Sequence, residues 1–371
     1  MKVYIGYGRK IMNSKYLKKP LVAFVTAGMI LAPVTAKAES HVQVIDPTAT
    51  TNDVFEGVIA SQRSEKQYEM TMPEKGYFSL QIVFKELVNY SVKITKKGAE
   101  KPSFNKSIYK KPEDFPIIGV NKGDVYDITI STISEETNGV DYSIKPRFTA
   151  SNDWETEEND KIENANEMNL DQKMHGTLYD QDDVDWFKVK ADTYGNHKLI
   201  VEPGKLSDDE GYNIEVYNSD KKMLWKNYNV YEKNSSFELT GKGYYFIKVD
   251  AHYKTRVRTT NDQYYTLTMT SPTENDWEQE PNDSFETAQP FDSDQLVKGN
   301  LTYVNDEEDI DYFKFNISGT STLEFNLGEG IDKNAVRNGW KISLYDEHHG
   351  LIQENEVTEY SLIDYSVNRG T

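Results

Sequence analysis

Oxygen-bearing side chains recur with the same spacing in two parts of the chain. The acidic segment NDWETEENDKIENA begins at Asn152 and NDWEQEPNDSFETA begins at Asn275; nine of the fourteen positions are identical, and the offset is 275 − 152 = 123 residues. Each segment, here called a preface, precedes an Asp-x-Asp strand, DVDWF from Asp183 or DIDYF from Asp309. Carboxylate and amide oxygens are the ligands that Ca²⁺ prefers, whereas zinc and copper sites use His or Cys. The pattern therefore predicts calcium binding.

The side-chain parity of the two Asp-x-Asp strands explains why a cation is expected. Asp185 has the same parity as Phe187 and Val189, and Asp311 has the same parity as Phe313. Alternate residues of a strand point to the same side, so each Asp is expected at the edge of a core. A carboxylate there costs several kcal/mol unless it is paired or bound to metal. We expect each preface to fold over the strand entrance and supply the remaining ligands.

A solvated acidic linker without metal is the alternative interpretation of either preface. Two copies, which precede an Asp-x-Asp strand by 183 − 152 = 31 and 309 − 275 = 34 residues, favour a site over a linker. The spacing does not match an EF-hand loop, which requires Gly at its sixth position and Glu at its twelfth.

Period-2 runs bounded by turn residues predict an all-β chain of tandem antiparallel β-sandwich, jelly-roll-like modules. The predicted organisation is a signal peptide (1–38), a linker (39–53), and a first (54–150), second (151–272) and third (273–371) module. The third is expected to be C-terminally incomplete, because YSLIDYSVNRGT stands where the last two strands of the second module begin. The first has no preface, and Ser64 and Lys66 replace Asp183 and Asp185. It is predicted to be a diverged module without a metal site.

The N-terminal segment predicts export. The apolar run PLVAFVTAGMILAPV follows Lys10, Lys15, Lys18 and Lys19 and is itself followed by AKA, with cleavage expected after Ala38. A transmembrane anchor is the alternative, but the run is short for a span of about 20 residues. The absence of cysteine excludes disulfides. The net charge of −19 disfavours nucleic acid and anionic membranes as partners. A secreted or cell-wall-associated Gram-positive protein, with no membrane span after cleavage, is expected.

The preface and strand together resemble the bacterial pre-peptidase C-terminal domain family, which includes the collagen-binding domains of clostridial collagenases. The motifs are EPNDSFETA with DIDYF, and EENDKIENA with DVDWF, within 152–371. The resemblance implies a β-sandwich with a calcium site at the strand entrance. Carried over by position, the implied ligands are Glu155, Glu157, Asn159, Asp160, Asp182 and Asp185 in the second module, and Glu278, Glu280, Asn282, Asp283, Glu308 and Asp311 in the third. Glu158 replaces the family's Pro, and Glu308 stands where Asp is usual.

The expected function is non-catalytic binding of an extracellular polymer or matrix protein, collagen-like or cell-wall. No HExxH or GxSxG motif occurs in the sequence. Tyr244, Tyr245, Tyr264 and Tyr265 are candidate contact residues, although ordinary cross-strand pairs with one face buried are the favoured explanation for them. The alternatives are an accessory portion or fragment of a secreted peptidase, and a carbohydrate-binding module.

Overall fold

A computed structural model describes most of the chain. The described residues are 2–9, 42–48, 55–59, 64–86, 88–109, 113–133, 139–206, 210–231, 235–239, 241–253, 255, 263–274, 276–292, 295–299, 301, 303–304, 307–317, 321–327, 340–357 and 361–367. The apolar run and cleavage position of the predicted signal peptide lie outside these residues. The chain divides into a larger unit, His41–Glu280 with Leu296–Glu307, and a smaller unit, Met1–Ser40 with Pro281–Gln295 and Glu308–Thr371.

The first module lies in the larger unit, and ten strands are described there, of which β2 falls in the predicted linker. They are β2 Gln43–Ile45, β3 Phe55–Ile59, β4 Glu65–Thr71, β5 Gly76–Phe84, β6 Asn89–Lys96, β7 Phe104–Tyr109, β8 Glu113–Asp114, β9 Ile118–Val120, β10 Val125–Thr132 and β11 Val140–Ala150, after β1 Lys2–Arg9 of the smaller unit. One sheet has the order β2-β4-β10-β6-β7, and the other β3-β11-β5-β8 with β9 beside β5. Alternate residues such as Tyr126, Ile128 and Ile130 are fully buried in a shared core.

The second module, also in the larger unit, repeats this arrangement. Its strands are β12 Asn166–Met168, β13 Lys173–Gly176, β14 Val184–Ala191, β15 His197–Pro203, β16 Tyr212–Tyr217, β17 Met223–Val230, β18 Ser235–Leu239, β19 Gly243–Ala251 and β20 Tyr265–Met269, preceded by a 3-10 turn at Ile162–Asn164. The sheets have the orders β12-β14-β19-β16-β17 and β13-β20-β15-β18. Phe187, Val189 and Ile247 are buried in their common core.

The remaining strands belong to the third module. They are β21 Gln289–Pro290, β22 Tyr303–Val304, β23 Glu307–Glu308, β24 Asp311–Asn316, β25 Ser321–Leu327, β26 Trp340–Tyr345, β27 Leu351–Val357 and β28 Ser361–Val367. Within the smaller unit, one sheet has the order β21-β24-β1-β26-β27, and β25 pairs with β28. Strand β1 lies inside the predicted signal peptide, so this segment forms part of a sheet in the unprocessed chain.

The all-β prediction is confirmed, since paired antiparallel sheets make up the described fold. The predicted inward parity of the Asp-x-Asp strands also agrees with the burial, because Asp185, Phe187 and Val189 are all buried along β14. Among the described residues, the structure contains no helix of the length and apolar character that a bilayer span requires.

Candidate metal centre

The preface of the second module is attached to two strands by backbone hydrogen bonds. At one end, the Glu155 N–H donates to the His175 carbonyl (2.9 Å) and the His175 N–H donates to the Asp153 carbonyl (2.7 Å). At the other end, the Trp186 N–H of β14 donates to the Asn159 carbonyl (3.1 Å). The residues between these attachments are therefore held over the entrance of β14, as the sequence predicted.

Three carboxylates converge beneath the preface. Glu155, Glu157 and Asp185 are 0, 8 and 0 % exposed, and one oxygen of each lies within 4.8 Å of the others. Asn159 is also fully buried beside them. Gly176 leaves the necessary space, because a Cβ there would lie 2.3 Å from the Tyr265 ring and 2.8 Å from Glu155 Oε2. We call Glu155, Glu157, Asn159 and Asp185 the carboxylate cluster.

Only part of the cluster is satisfied by protein donors. The Tyr265 hydroxyl donates to Asp185 Oδ2 (2.5 Å), and Asn159 Nδ2 donates to Glu155 Oε2 (3.2 Å). Three buried oxygens, Asp185 Oδ1, Glu157 Oε1 and Asn159 Oδ1, have no hydrogen-bond partner. Buried polar atoms are nearly always satisfied, because an unsatisfied one costs about 1–3 kcal/mol. All three are hard oxygen ligands of the type that Ca²⁺ takes.

Electrostatics in the cluster also favours a cation. Burial raises the pKa of Glu155 to about 8. The pKa values of Glu157 and Asp185 are likewise raised well above their ordinary range, by burial first and by the neighbouring carboxylates second. Negative charges in a low-dielectric site repel one another unless protons or a metal ion neutralise them. The residues present therefore fit a calcium ion.

The two other predicted ligands of this module, Asp160 and Asp182, are not buried in the carboxylate cluster. Asp160 is half-buried and accepts the Val184 N–H (3.4 Å). Asp182 is exposed, and its N–H donates to Asp180 Oδ1 (2.9 Å). The structure does not bring the Asp182 carboxylate into the cluster.

Asp183 is a buried acidic residue close to Asp185 that was not among the predicted ligands. It is 7 % exposed, its Oδ2 accepts the Tyr179 N–H (2.6 Å), and burial raises its pKa to about 7. The signal that could have identified it was present, because Ser64 replaces it in the module that has no preface.

The preface of the third module makes backbone hydrogen bonds like those of the second module, some within the larger unit and some within the smaller unit. In the larger unit, the buried Glu278 donates its N–H to the Lys298 carbonyl (2.8 Å), and Lys298 donates to the Asp276 carbonyl (2.7 Å). Glu280, in the same unit, is half-buried. These contacts match those of Glu155, His175 and Asp153.

In the smaller unit, the Tyr312 N–H donates to the Asn282 carbonyl (2.9 Å), as Trp186 does to Asn159. Asn282 and Asp311 are fully buried and Asp283 is exposed. The Glu308 side chain lies outside the described residues.

The corresponding position in the first module has different chemistry. The Tyr68 and Tyr142 hydroxyls hydrogen-bond to each other (2.5 Å) above Gly57, and Lys66 is exposed. Tyr142 pairs with Gly57 as Tyr265 pairs with Gly176. Tyr142 therefore has a neutral hydroxyl partner, Tyr68, whereas the corresponding Tyr265 of the second module donates to the carboxylate of Asp185.

The first module also contacts the preface of the second, which the sequence did not reveal. Lys96 Nζ donates to the Glu157 carbonyl (2.8 Å), and Thr177 Oγ1 donates to the Ile117 carbonyl (3.1 Å). Gly119 of β9 approaches so closely that a Cβ there would lie 1.8 Å from the Glu155 carbonyl oxygen. The backbone of Glu155 and Glu157 therefore contacts the first module, while the side chains of these two residues belong to the carboxylate cluster.

Comparison with known proteins adds a partial relationship. No family model matches the chain. Over 184 residues it is 32 % identical to "Collagenase ColT" of Clostridium tetani (strain Massachusetts / E88), covering 47 % of this chain and 18 % of the relative. Part of the chain is thus related in sequence to a clostridial collagenase. It spans less than a fifth of that relative's length.

Two solved structures show only distant similarity. The pre-peptidase C-terminal domain of a Bacillus anthracis collagenase matches with 17 % identity and a TM-score of 0.22, covering 29 % of this chain and 94 % of that one. Tripeptidyl peptidase 2 matches with 10 % identity and a TM-score of 0.25, covering 89 % of this chain and 31 % of that one. Neither similarity bears on the site.

Proposed function

We propose that the chain is a secreted, non-catalytic array of calcium-stabilised β-sandwich modules that bind an extracellular polymer or matrix protein. The observation that carries the calcium part is the set of three buried oxygens without hydrogen-bond partners, on Asp185, Glu157 and Asn159. A cation supplies what these oxygens lack and neutralises the surrounding carboxylates. Every member of the cluster offers oxygen, and none offers sulfur or imidazole, which favours calcium over zinc or copper.

The binding part of the proposal is supported by the partial relationship to a collagenase. Collagen-like or cell-wall polymers are therefore the first ligands to test. An accessory role within a larger secreted peptidase is the second candidate, supported by the same relationship. The reading frame that follows the codon for Thr371 distinguishes the two, since a downstream catalytic domain would make these modules an appendage.

The four candidate tyrosines differ in their exposure to solvent. Tyr245 and Tyr265 are 5 and 0 % exposed and belong to the core, whereas Tyr244 is 41 % exposed with Lys188 Nζ 4.9 Å from its ring centroid. Tyr264 is half-buried and packs against Trp154 (5.5 Å between ring centroids). Of the four tyrosines predicted as contacts, Tyr244 is the best placed to meet a ligand.

The outer face of the β12-β14-β19-β16-β17 sheet adds further aromatic groups. Trp186 and Tyr217 lie 5.3 Å apart between ring centroids, and Tyr228 is 53 % exposed. Exposed aromatic rings on a rigid sheet are common anchors in recognition surfaces. We propose that this face, together with Tyr244, contacts the polymer.

Calcium binding is tested by titration calorimetry on the full chain. Glu157→Gln removes a carboxylate whose Oε1 lacks a partner, whereas Glu163→Gln alters an exposed carboxylate paired with Lys221 (2.8 Å). We expect Glu157→Gln to weaken calcium binding at least tenfold and Glu163→Gln to leave it unchanged. Equal affinity in all three proteins would rule out the site.

Polymer binding is tested by co-sedimentation with insoluble collagen, cell wall and polysaccharide, in calcium and in chelator. Retention on one of them, reduced by Tyr228→Ala or Tyr244→Ala but not by Tyr264→Ala, supports the proposed face. No retention on any polymer would reject the binding part and leave the calcium part standing.

A further inference from the structure

A cavity of about 690 Å³ opens in the first module, lined by β3, β4, β5 and β11 together with Gln43. A volume of about 300–1,000 Å³ is usual for the binding site of a small molecule. The cavity includes Gly57 and Tyr142, which correspond to Gly176 and Tyr265 beside the carboxylate cluster. The first module therefore has an open site at the position where the second module has its metal centre.

Two tyrosine hydroxyls in the wall of this cavity leave one proton without an acceptor. The Tyr68 and Tyr142 hydroxyls share a single hydrogen bond (2.5 Å), and only one of their two protons can lie between the oxygens. The second proton has no acceptor among the described residues, although the two tyrosines are only 1 and 2 % exposed. Burial raises the pKa of both hydroxyls, so both remain protonated at neutral pH.

Gly57 leaves space next to these hydroxyls. A Cβ at this position would lie 2.5 Å from Tyr142 Oη and 2.8 Å from Tyr68 Oη. Because glycine has no Cβ, the hydroxyl pair borders the cavity instead of being covered by a side chain. A buried donor without an acceptor therefore faces a space that a ligand can enter, and an acceptor oxygen on the ligand would satisfy it.

Lys66 adds a positive charge to the same cavity. It stands where the second module has Asp185 and has the same strand parity as the buried Tyr68. Its ammonium group has no ion pair within the described part of the chain. A free ammonium and an unused hydroxyl proton in one cavity favour a negatively charged oxygen, which is the reverse of the charge preference of the carboxylate cluster.

The other charged groups of the wall offset one another. Lys85 is paired with Asp141 (2.7 Å between Nζ and Oδ2), and Asp141 first and Glu56 second raise the pKa of Lys85. Lys66 is therefore the lysine of the wall that is left without a counter-ion. The module as a whole is not acidic, because residues 54–150 contain 14 Lys and Arg against 13 Asp and Glu. The negative net charge of the chain thus does not exclude an anionic ligand here.

The remaining wall favours a sugar as the carrier of the negatively charged oxygen. Gln43 and Ser143 each offer both a donor and an acceptor, which is what the hydroxyl groups of a sugar require. Val58 and Val83 line the same cavity and are 46 and 40 % exposed. They provide apolar surface for the C–H groups of a sugar ring.

We propose that this cavity binds an acidic saccharide, whose carboxylate accepts the free tyrosine hydroxyl proton and pairs with Lys66. The hydroxyl groups of the sugar bond to Gln43 and Ser143, and its ring packs against Val58 and Val83. The site needs no metal and uses no residue of the carboxylate cluster or of the aromatic face of the second module. It goes beyond the proposed function, since it would make the chain select acidic over neutral polysaccharides.

The ligand class is tested by titration calorimetry on the full chain with digalacturonate and with the neutral disaccharide galactobiose. The buffer contains no calcium and no chelator, because calcium binds uronates and chelators are themselves carboxylates. We expect digalacturonate to bind about tenfold or more tightly than galactobiose, since a charge-assisted contact is lost in the neutral sugar. Absence of digalacturonate binding, or equal binding of the two sugars, overturns the proposal. Tighter binding of triglutamate than of digalacturonate also overturns it, in favour of a peptide carboxylate.

The location of the site is tested with two variants and a matched control. Lys66→Gln should weaken digalacturonate binding about tenfold or more, whereas Lys93→Gln, which removes an exposed lysine of β6 outside the cavity, should leave it unchanged. Tyr68→Phe combined with Tyr142→Phe removes both partners of one buried hydrogen bond, which is nearly neutral for stability. This double variant should keep its melting temperature and bind more weakly. Unchanged affinity in Lys66→Gln overturns the proposal whether or not the double variant folds.

Discussion

Asp185→Asn is predicted to stabilise the metal-free chain and to remove most of the stabilisation that calcium provides. The side chain keeps its size, and its remaining oxygen can still accept the Tyr265 hydroxyl, which donates to Asp185 Oδ2 at 2.5 Å. The new amide group replaces Oδ1, the oxygen without a hydrogen-bond partner. It can donate toward the neighbouring acceptor oxygens of Glu157 or Asn159, so the substitution removes a buried charge without creating a cavity.

The direction of the stability change in chelator follows from the raised pKa values of the buried carboxyl groups. For Glu155, burial raises the pKa from 4.5 to about 8, so the folded chain favours the protonated carboxyl. At about pH 7.5 the unfolded carboxyl is ionised, and keeping the folded one protonated costs about 4 kcal/mol, at about 1.4 kcal/mol per pH unit. The pKa of Asp185 is shifted in the same direction. We therefore expect its neutral replacement to stabilise the metal-free chain by about 1–3 kcal/mol, which is the cost of a buried polar atom without a hydrogen-bond partner such as Asp185 Oδ1.

The stabilisation gained on adding calcium is expected to fall. A metal that binds only the folded chain stabilises it by about 2.7 kcal/mol at a hundredfold excess over its Kd. If the loss of one charged ligand raises Kd a hundredfold, the same calcium concentration stabilises the variant by only about 0.4 kcal/mol. The calcium-induced gain should therefore shrink by about 2 kcal/mol.

The assay is urea unfolding at about pH 7.5, in chelator and in calcium, followed by tryptophan fluorescence. Asp182→Asn is the matched control, because Asp182 is exposed and lies outside the cluster; it should behave as the unsubstituted chain in both conditions. If Asp185→Asn destabilises the metal-free chain and leaves the calcium-induced gain intact, the carboxylate has a structural role and the reasoning fails.

Three further predictions concern the same region. The metal-free chain should lose stability as pH rises from about 4.5 to 8, because the folded chain favours protonated Glu155; saturating calcium should flatten this dependence in urea unfolding. Gly119→Ala should destabilise the larger unit by about 2 kcal/mol or more, since its Cβ would meet the Glu155 carbonyl at 1.8 Å, whereas the exposed Lys122→Ala should not. Tyr265→Phe should cost about 1–2 kcal/mol in chelator by leaving Asp185 Oδ2 without its donor; an unchanged melting temperature would contradict this hydrogen bond.

The sequence predicts the parts of the site that depend on local periodicity. The period-2 parity of β14 places Asp185 beside Phe187 at the edge of the core, and the repeated preface brings Glu155, Glu157 and Asn159 to it. The positions of these residues depend on strand geometry and on one short connection. Both can be read from the spacing of the residues in the sequence. Asp182 and Asp183 are harder to separate, because in a turn the parity of neighbouring residues is not fixed by a strand.

The long-range features were not predictable in this way. The contact of Lys96 with the Glu157 carbonyl joins residues 61 apart in sequence, and Lys96 belongs to no repeated motif that could have indicated it. The place of Lys2–Arg9 beside β24 depends on pairing between distant segments. This segment falls within residues 1–38, which the later lysines, the apolar run and AKA predict to be a signal peptide, so no strand was expected there.

The two-sided contacts of the preface have a mechanical consequence. Chain tension passing from the first module to the second enters through the residues after Ala150, where β11 ends. Those residues are held by the backbone contacts of Glu155 and Asn159 with neighbouring strands, and their carboxylates belong to the cluster. A bound cation would therefore cross-link the preface to β14 at the point where force passes from the first module to the second. Its removal should lower the force at which the two modules are pulled apart.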